Sequence, residues 1–358
     1  MRRPLSFIHF YILLLSVAGI AGIFLIKGLD GTRSETRDGV AMDTVIRMTV
    51  YAVKPRGEIG AMLDGAFALV GDLEKKFSMY ETDSDVSAVN RSAGVSPASA
   101  GDDVRAALLT ALRMAELTDG AYDPTIGAVT NAWRDGEGNV RLPSSGDLAH
   151  AVGFVNYRRL RLTDGEAYLE DSGAMLDLGG IAKGYASRAV SDLLRSGGAS
   201  SAIADLGGNV IVIGDRPDGR PWRIGVQDPF KARGNPLCIV DVSNTSIVTS
   251  GVYERRWEID GREFSHIYDP STGLPVSGDL LSVTLISDDP TEGDALSTAF
   301  MVMGRPMALE ILRVIPGVEA IFVSESEMFG REVVATRGLS GAIEMVGSDY
   351  RLSFVDVY

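Results

Sequence analysis

The sequence predicts an α+β fold of mixed, mostly antiparallel sheets with packed helices, preceded by one N-terminal transmembrane or signal-anchor helix. Three observations carry this. Helical spacing dominates the first half of the chain, and short, β-branched, turn-separated runs dominate the second. The two kinds come in blocks, without the strict strand–helix alternation of a doubly wound sheet. Finally, Arg2 and Arg3 precede "LSFIHFYILLLSVAGIAGIFLI", residues 5–26, which is long and apolar enough to cross a bilayer.

That first segment, 1–27, reads as an anchor or signal. A basic leader also begins a secretory signal, and "SVA" at 16–18 offers a small-residue cleavage site. The apolar run continues to Ile26, which favours an uncleaved anchor. The short leader places the N-terminus inside and the globular part outside the cytoplasm, at the inner membrane with the domain on the periplasmic side. Residues 28–40, "GLDGTRSETRDGV", are polar and glycine-rich and read as a linker. Residues 41–358 read as one domain without internal repeats.

"DTVIRMTVYA" alternates like a first strand. Ile59, Met62, Leu63, Ala66, Leu69, Val70, Leu73 and Phe77 fall at helical spacing. "DDVRAALLTALRMAELTDG" is a second amphipathic helix ended by Gly120, and "AKGYASRAVSDLLRSGG" a third, stopped by Gly197 and Gly198. Then come "SAIADLGGNVIVIG", "WRIGVQ", "LCIVDV", "SIVTS", "RRWEIDGREFSHI" and "LLSVTLIS", all strand-like. Asp260-Gly261 signals a hairpin turn. Helices follow at about 292–303 and 305–314, and "VEAIFVSE", "REVVATRG" and "YRLSFVDV" close the chain as strands.

Composition narrows the chemistry. With 45% hydrophobic and 23% charged residues, the chain is ordinary globular material. Its net charge of -14 argues against a nucleic-acid groove, which needs a basic field, and against broad contact with anionic lipid. A single cysteine, Cys238, excludes an intrachain disulfide framework and a thiolate metal site. With only His9, His150 and His266 available, a metal must be held mainly by oxygen.

Five stretches can carry chemistry. In "EGDALSTAF", residues 292–300, Asp294 and Thr298 stand four apart, on one face of a helix. They suit helix capping, or half of a hard-metal site such as Mg²⁺ takes. "LDLGGIAKGYA", residues 176–186, joins a strand end to a helix start through a glycine pair. Lys183 in its first turn opposes the helix dipole, and an anionic ligand would account for it. The stretch is neither a Walker A loop nor GxGxxG, and a tight turn with an exposed lysine is the plainer alternative. Tyr80, beside a polar loop, suits a core plug or a stack on a flat ring. Asp123 before Pro124 marks a turn with a free carboxylate. His266, at a strand end before "DPSTGLP", suits a general base, a phosphate contact or a structural role.

Together "FSMYETDSDVSAVN", "GAYDPTIGAVTNAW", "LDLGGIAKGYA", "DLGGNV", "TSGVYER", "SHIYDPSTGLPV" and "GDALSTAFMVMG" resemble, in order and over roughly 42–304, the ApbE family of FAD:protein FMN transferases. The resemblance implies an extracytoplasmic, Mg²⁺-dependent enzyme. It would attach the FMN of FAD by a phosphoester to a Thr or Ser of an acceptor protein, such as a subunit of a membrane redox complex, releasing AMP. It implies Asp294, Thr298 and the carbonyl of Gly180 as metal ligands. Tyr80, Ala121, Tyr122, Asp123, Asp177, Lys183, Tyr268 and Met42 become FAD contacts, and His266 the base. The chain departs from the family pattern at Asp43, where glycine is usual, and at Arg188, where an acid is common. An FAD diphosphatase and a non-catalytic FAD-binding protein are the alternatives. Intact Asp294, Thr298 and His266 speak against the latter.

Overall fold

A nine-stranded sheet organises the molecule. The computed structural model describes residues 31–135, 137–328 and 330–357, so the expected anchor, 1–27, lies outside the described residues. The chain opens with β1 (Arg33–Ala41), β2 (Thr44–Ala52), α1 (Arg56–Phe77), α2 (Asp85–Arg91), β3 (Ala98–Ser99) and α3 (Asp102–Leu117). It continues with α4 (Gly127–Ala132), α5 (Ser145–Val152), β4 (Leu160–Thr163), β5 (Glu166–Leu169), α6 (Ala182–Ser196), β6 (Ser201–Leu206) and β7 (Asn209–Ile213). Next come β8 (Trp222–Gln227), β9 (Pro236–Val242), β10 (Ser246–Gly251), β11 (Arg256–Ile259), β12 (Arg262–Ser265) and β13 (Leu280–Ser287). The last elements are α7 (Pro290–Leu312), β14 (Glu319–Ser326), β15 (Gly330–Thr336), β16 (Ile343–Met345) and β17 (Arg351–Val355).

The large sheet has the order β1-β2-β6-β7-β10-β13-β14-β15-β17. Every neighbouring pair is antiparallel except β15 and β17, which makes the fold α+β with a mixed, mostly antiparallel sheet, as expected. Alternation along the strands sends residues to two cores. Ile46, Met48, Val283, Leu285 and Phe322 pack with residues of α1, α6 and α7 on one face. Val212, Ile247, Ile321 and Val333 pack on the other against Trp222, Val226 and Val240, from the three-stranded sheet β16-β9-β8.

One expectation is corrected. The supposed linker 28–40 is β1 from Arg33 onward, paired with β2 from Arg33↔Ala52 to Ala41↔Thr44. Its polar residues are those of a half-exposed edge strand, braced by Arg47 Nε on Asp38 at 2.6 Å. The turn is Met42-Asp43, both at positive φ (51° and 57°), the pattern of a tight primed hairpin turn. The left-handed backbone at Asp43 explains why glycine also suits that position.

The two helices expected near 292–314 are α7, broken at Gly304 (φ 75°) just before Pro306. Among the described residues, α7 is the one helix long and apolar enough to cross a membrane. Here Ala295, Leu296, Ala299 and Phe300 bury it in the core. It lies tight against α6. A Cβ at Gly184 would stand 2.2 Å from the carbonyl oxygen of Pro290 and 2.7 Å from Cβ of Asp294. In an open helix Gly→Ala gains about 1 kcal/mol. Here overpacking against backbone reverses the sign, typically by 1–3 kcal/mol. Gly184→Ala should therefore lower the melting temperature; an unchanged or raised value would show that the helices separate freely.

Candidate active site

Asp294 is 3% exposed on the first turns of α7. The cap of its own helix is Asp289, whose side chain accepts from Thr291 N at 2.8 Å, so the capping reading fails in its simple form. Asp294 instead spans to α6, where its Oδ2 accepts from Gly184 N at 2.8 Å. No lysine or arginine pairs with it among the described residues, and Oδ1 accepts no hydrogen bond there. A buried carboxylate without a cation is unfavourable. Thr298 follows one turn later, its hydroxyl donating to the Asp294 carbonyl at 3.0 Å. Gly180 adjoins Thr298 and Tyr122, because a Cβ there would stand 3.2 Å from Thr298 Oγ1 and 3.2 Å from the Tyr122 ring. Among the described residues no group of three His, Cys, Asp or Glu is placed to hold a metal. A cation here would have one carboxylate and neutral oxygens, a set that fits Mg²⁺, which keeps several waters and takes few carboxylates.

The 120–127 loop supplies the next wall. The Tyr122 hydroxyl is buried without a hydrogen-bond partner. Burial first, then the charges of Asp294, Asp177 and Asp123, hold its pKa well above the usual value. Ala121 packs beside it at the core edge. Asp123 is turned inward: it accepts from Thr125 N (2.8 Å), Thr125 Oγ1 (2.6 Å) and Tyr157 N (2.9 Å). Burial raises its pKa against these bonds. Its carboxylate holds the loop in shape instead of standing free.

Asp177 is fixed by Thr130 Oγ1 at 2.7 Å and Gly179 N at 2.8 Å. Its charge acts on Tyr80, Tyr122 and Tyr268, which places these aromatics around one carboxylate. Tyr80 is 58% exposed, with the Arg134 guanidinium 5.0 Å from its ring centre. Tyr268 stacks on Trp133 at 5.6 Å and 25°, and Trp133 Nε1 donates to the Gly273 carbonyl at 2.9 Å. An exposed tyrosine beside a packed one gives a flat ligand two aromatic surfaces.

Lys183 Nζ donates to Asn209 Oδ1 at 3.2 Å. Asn209 is fully buried, and its Nδ2 has no partner. Half-buried His266 places Nδ1 3.3 Å from the Arg255 carbonyl. Burial first, then the charges of Arg255 and Lys183, push its imidazole down to about 4. It is neutral at ordinary pH and can accept a proton. Met42 stands at the β1–β2 tip, its N–H donating to Glu74 Oε1 at 2.7 Å. Arg188, outside this cluster, pairs with Asp289 at 2.7 Å and fastens α6 to the cap of α7.

Arg134, Thr130, Asn209 and Arg255 complete the site and were not singled out by the sequence. Thr130, Asn209 and Arg255 do stand inside the quoted motifs "GAYDPTIGAVTNAW", "DLGGNV" and "TSGVYER".

The fold gathers a buried acidic centre, a lysine, a neutral histidine and paired aromatics, groups whose chemistry suits an anionic ligand with a flat ring. The family model for the ApbE family matches residues 42–322, and the chain belongs to that family. A protein named FAD:protein FMN transferase from Treponema pallidum (strain Nichols) is 34% identical over 319 residues, 85% of this chain and 88% of the relative. One of the same name from Klebsiella pneumoniae (strain 342) is 31% identical over 268 residues, 74% and 83% of the two chains. The crystal structure of the ApbE protein of Thermotoga maritima superposes with a TM-score of 0.75 at 29% identity, over 87% of this chain and 97% of that one. The apo flavinyl transferase ApbE of Pseudomonas stutzeri does so with 0.76 at 28% identity, over the same shares.

Proposed function

We propose that this protein transfers the FMN moiety of FAD to a Ser or Thr hydroxyl of an acceptor protein and releases AMP. The observation that carries the reading is the buried Asp294 carboxylate, uncompensated by any cation among the described residues and hydrogen-bonded to Gly184 next to Lys183, whose charge in turn bears on a neutral His266. Names borne by relatives covering most of the chain support it. The acceptor oxygen attacks the phosphorus on the FMN side of the pyrophosphate. The new phosphoester bond forms as the bond to the AMP phosphate breaks, and the hydroxyl proton passes to His266. Lys183 pairs with the pyrophosphate, and Tyr80, Tyr268 and the Tyr122 loop orient the flavin nucleotide. Asp294, Thr298 and the Gly180 carbonyl would hold Mg²⁺, which when bound neutralises pyrophosphate charge.

The test is incubation of the full chain with FAD, Mg²⁺ and an acceptor, read by in-gel flavin fluorescence with AMP release. A fluorescent acceptor band that survives denaturation is expected. AMP and free FMN with no labelled acceptor would instead make the protein an FAD diphosphatase. We propose further that residues 5–26 anchor the protein in the inner membrane with the domain on the periplasmic side, facing a subunit of a membrane redox complex. A reporter active only in the periplasm, fused after Tyr358, should be active; activity of a cytoplasmic reporter there would refute this.

A further inference from the structure

Arg255 touches two parts of the molecule that are far apart in sequence. Its carbonyl faces Nδ1 of His266 at 3.3 Å. A carbonyl can only accept, so Nδ1 carries the proton and the lone pair lies on Nε2. Its guanidinium turns the other way, to the tip of the first hairpin. There Nη2 lies 3.4 Å from the Met42 carbonyl and 3.7 Å from the Asp43 carboxylate. That tip is itself fixed, because Glu74 accepts from Met42 N at 2.7 Å and both tip residues are locked in a left-handed turn.

We infer that Arg255 is a positioning residue for His266: its guanidinium, held on Met42 and Asp43, keeps its own carbonyl where it fixes the imidazole tautomer and leaves Nε2 open to the acceptor hydroxyl. The inference rests on the proposed transfer reaction, with His266 as its base. It gives the β1–β2 hairpin a role at the site although neither strand supplies a reacting group. Electrostatics act in the same direction. The charged groups bearing on His266 are Arg255 and Lys183, and both disfavour the imidazolium. A base that must be neutral is thereby kept neutral below its ordinary range.

The sign of the test follows. Removing the Arg255 charge takes away one of two cations, so the His266 midpoint must rise from about 4 toward its ordinary 6.5. The full chain, labelled with ¹⁵N-histidine, reads this directly. Three histidines are present, and His266→Gln identifies the His266 signal. The wild type should show the Nδ1–H tautomer and no titration above about pH 5. Arg255→Gln should raise the midpoint by about 1 unit, a shift typical of a neighbouring charge. Its transfer rate should then fall about twofold further at pH 5 than at pH 8. Arg255→Lys, which keeps the charge, should hold the midpoint near the wild-type value. An arginine that neither bears on the imidazole nor holds its tautomer would lower the rate equally at both pH values and leave the midpoint unmoved, and that result overturns the inference, as does an Nε2–H tautomer in the wild type. Undiminished transfer by His266→Gln would instead sink the base assignment; the tautomer and midpoint report on Arg255 without any transfer reaction.

Discussion

Asp294→Asn is expected to abolish Mg²⁺-dependent FMN transfer while leaving the fold in place. The amide oxygen can still accept from Gly184 N, which the carboxylate now holds at 2.8 Å, so the α6–α7 contact survives. What is lost is the negative charge. Electrophilic stabilisation by a bound metal contributes several kcal/mol to phosphoryl chemistry, so the rate should fall by at least about 10³-fold. A second readout does not depend on turnover. Any ligand that binds only the folded state raises its stability, so Mg²⁺ should raise the wild-type melting temperature and leave that of Asp294→Asn unmoved. Thr298→Val should weaken the Mg²⁺ effect by less, since a neutral hydroxyl contributes less to a cation than a carboxylate. Full activity of Asp294→Asn at low Mg²⁺ would reduce Asp294 to an inter-helix cap.

His266→Ala should separate binding from chemistry. Lys183, Tyr80, Tyr268 and the Tyr122 loop do not depend on the imidazole, so FAD affinity should stay near the wild-type value. A positioned base contributes about 10²–10⁴-fold, and the transfer rate should fall by at least the lower figure. A structural histidine predicts a different pattern, in which affinity, melting temperature and rate fall together. Measuring all three on one preparation decides the matter. An unchanged rate would also exclude His266 as the base.

Much of this site could be read from the sequence because its residues come in local motifs. Asp294 and Thr298 are one helical turn apart, and the 176–186 stretch joins strand to helix within a few residues. The break between the last helices was legible between about 303 and 305, where Gly304 interrupts α7, and the hairpin at Asp260-Gly261. Less legible was whatever depends on contacts between distant elements. Asp294 is 110 residues from the N–H it accepts from, so beside the capping and metal readings its tie to α6 could not be read. Arg255 is 213 residues from the Met42 carbonyl. Strand β1 was hidden because an edge strand needs few apolar residues and its turn lacks the Asn-Gly signature. Asp123 looked like a free carboxylate, but its partner Tyr157 lies 34 residues on.

The most direct test of the account is mass spectrometry of the acceptor after reaction with FAD. Transfer through a phosphoester predicts a gain of one FMN less one water on a single Ser- or Thr-containing peptide, with one AMP released for each acceptor modified. The gain should vanish with Asp294→Asn and drop sharply with His266→Ala. An acceptor of unchanged mass, while FAD is consumed to FMN and AMP, would contradict it.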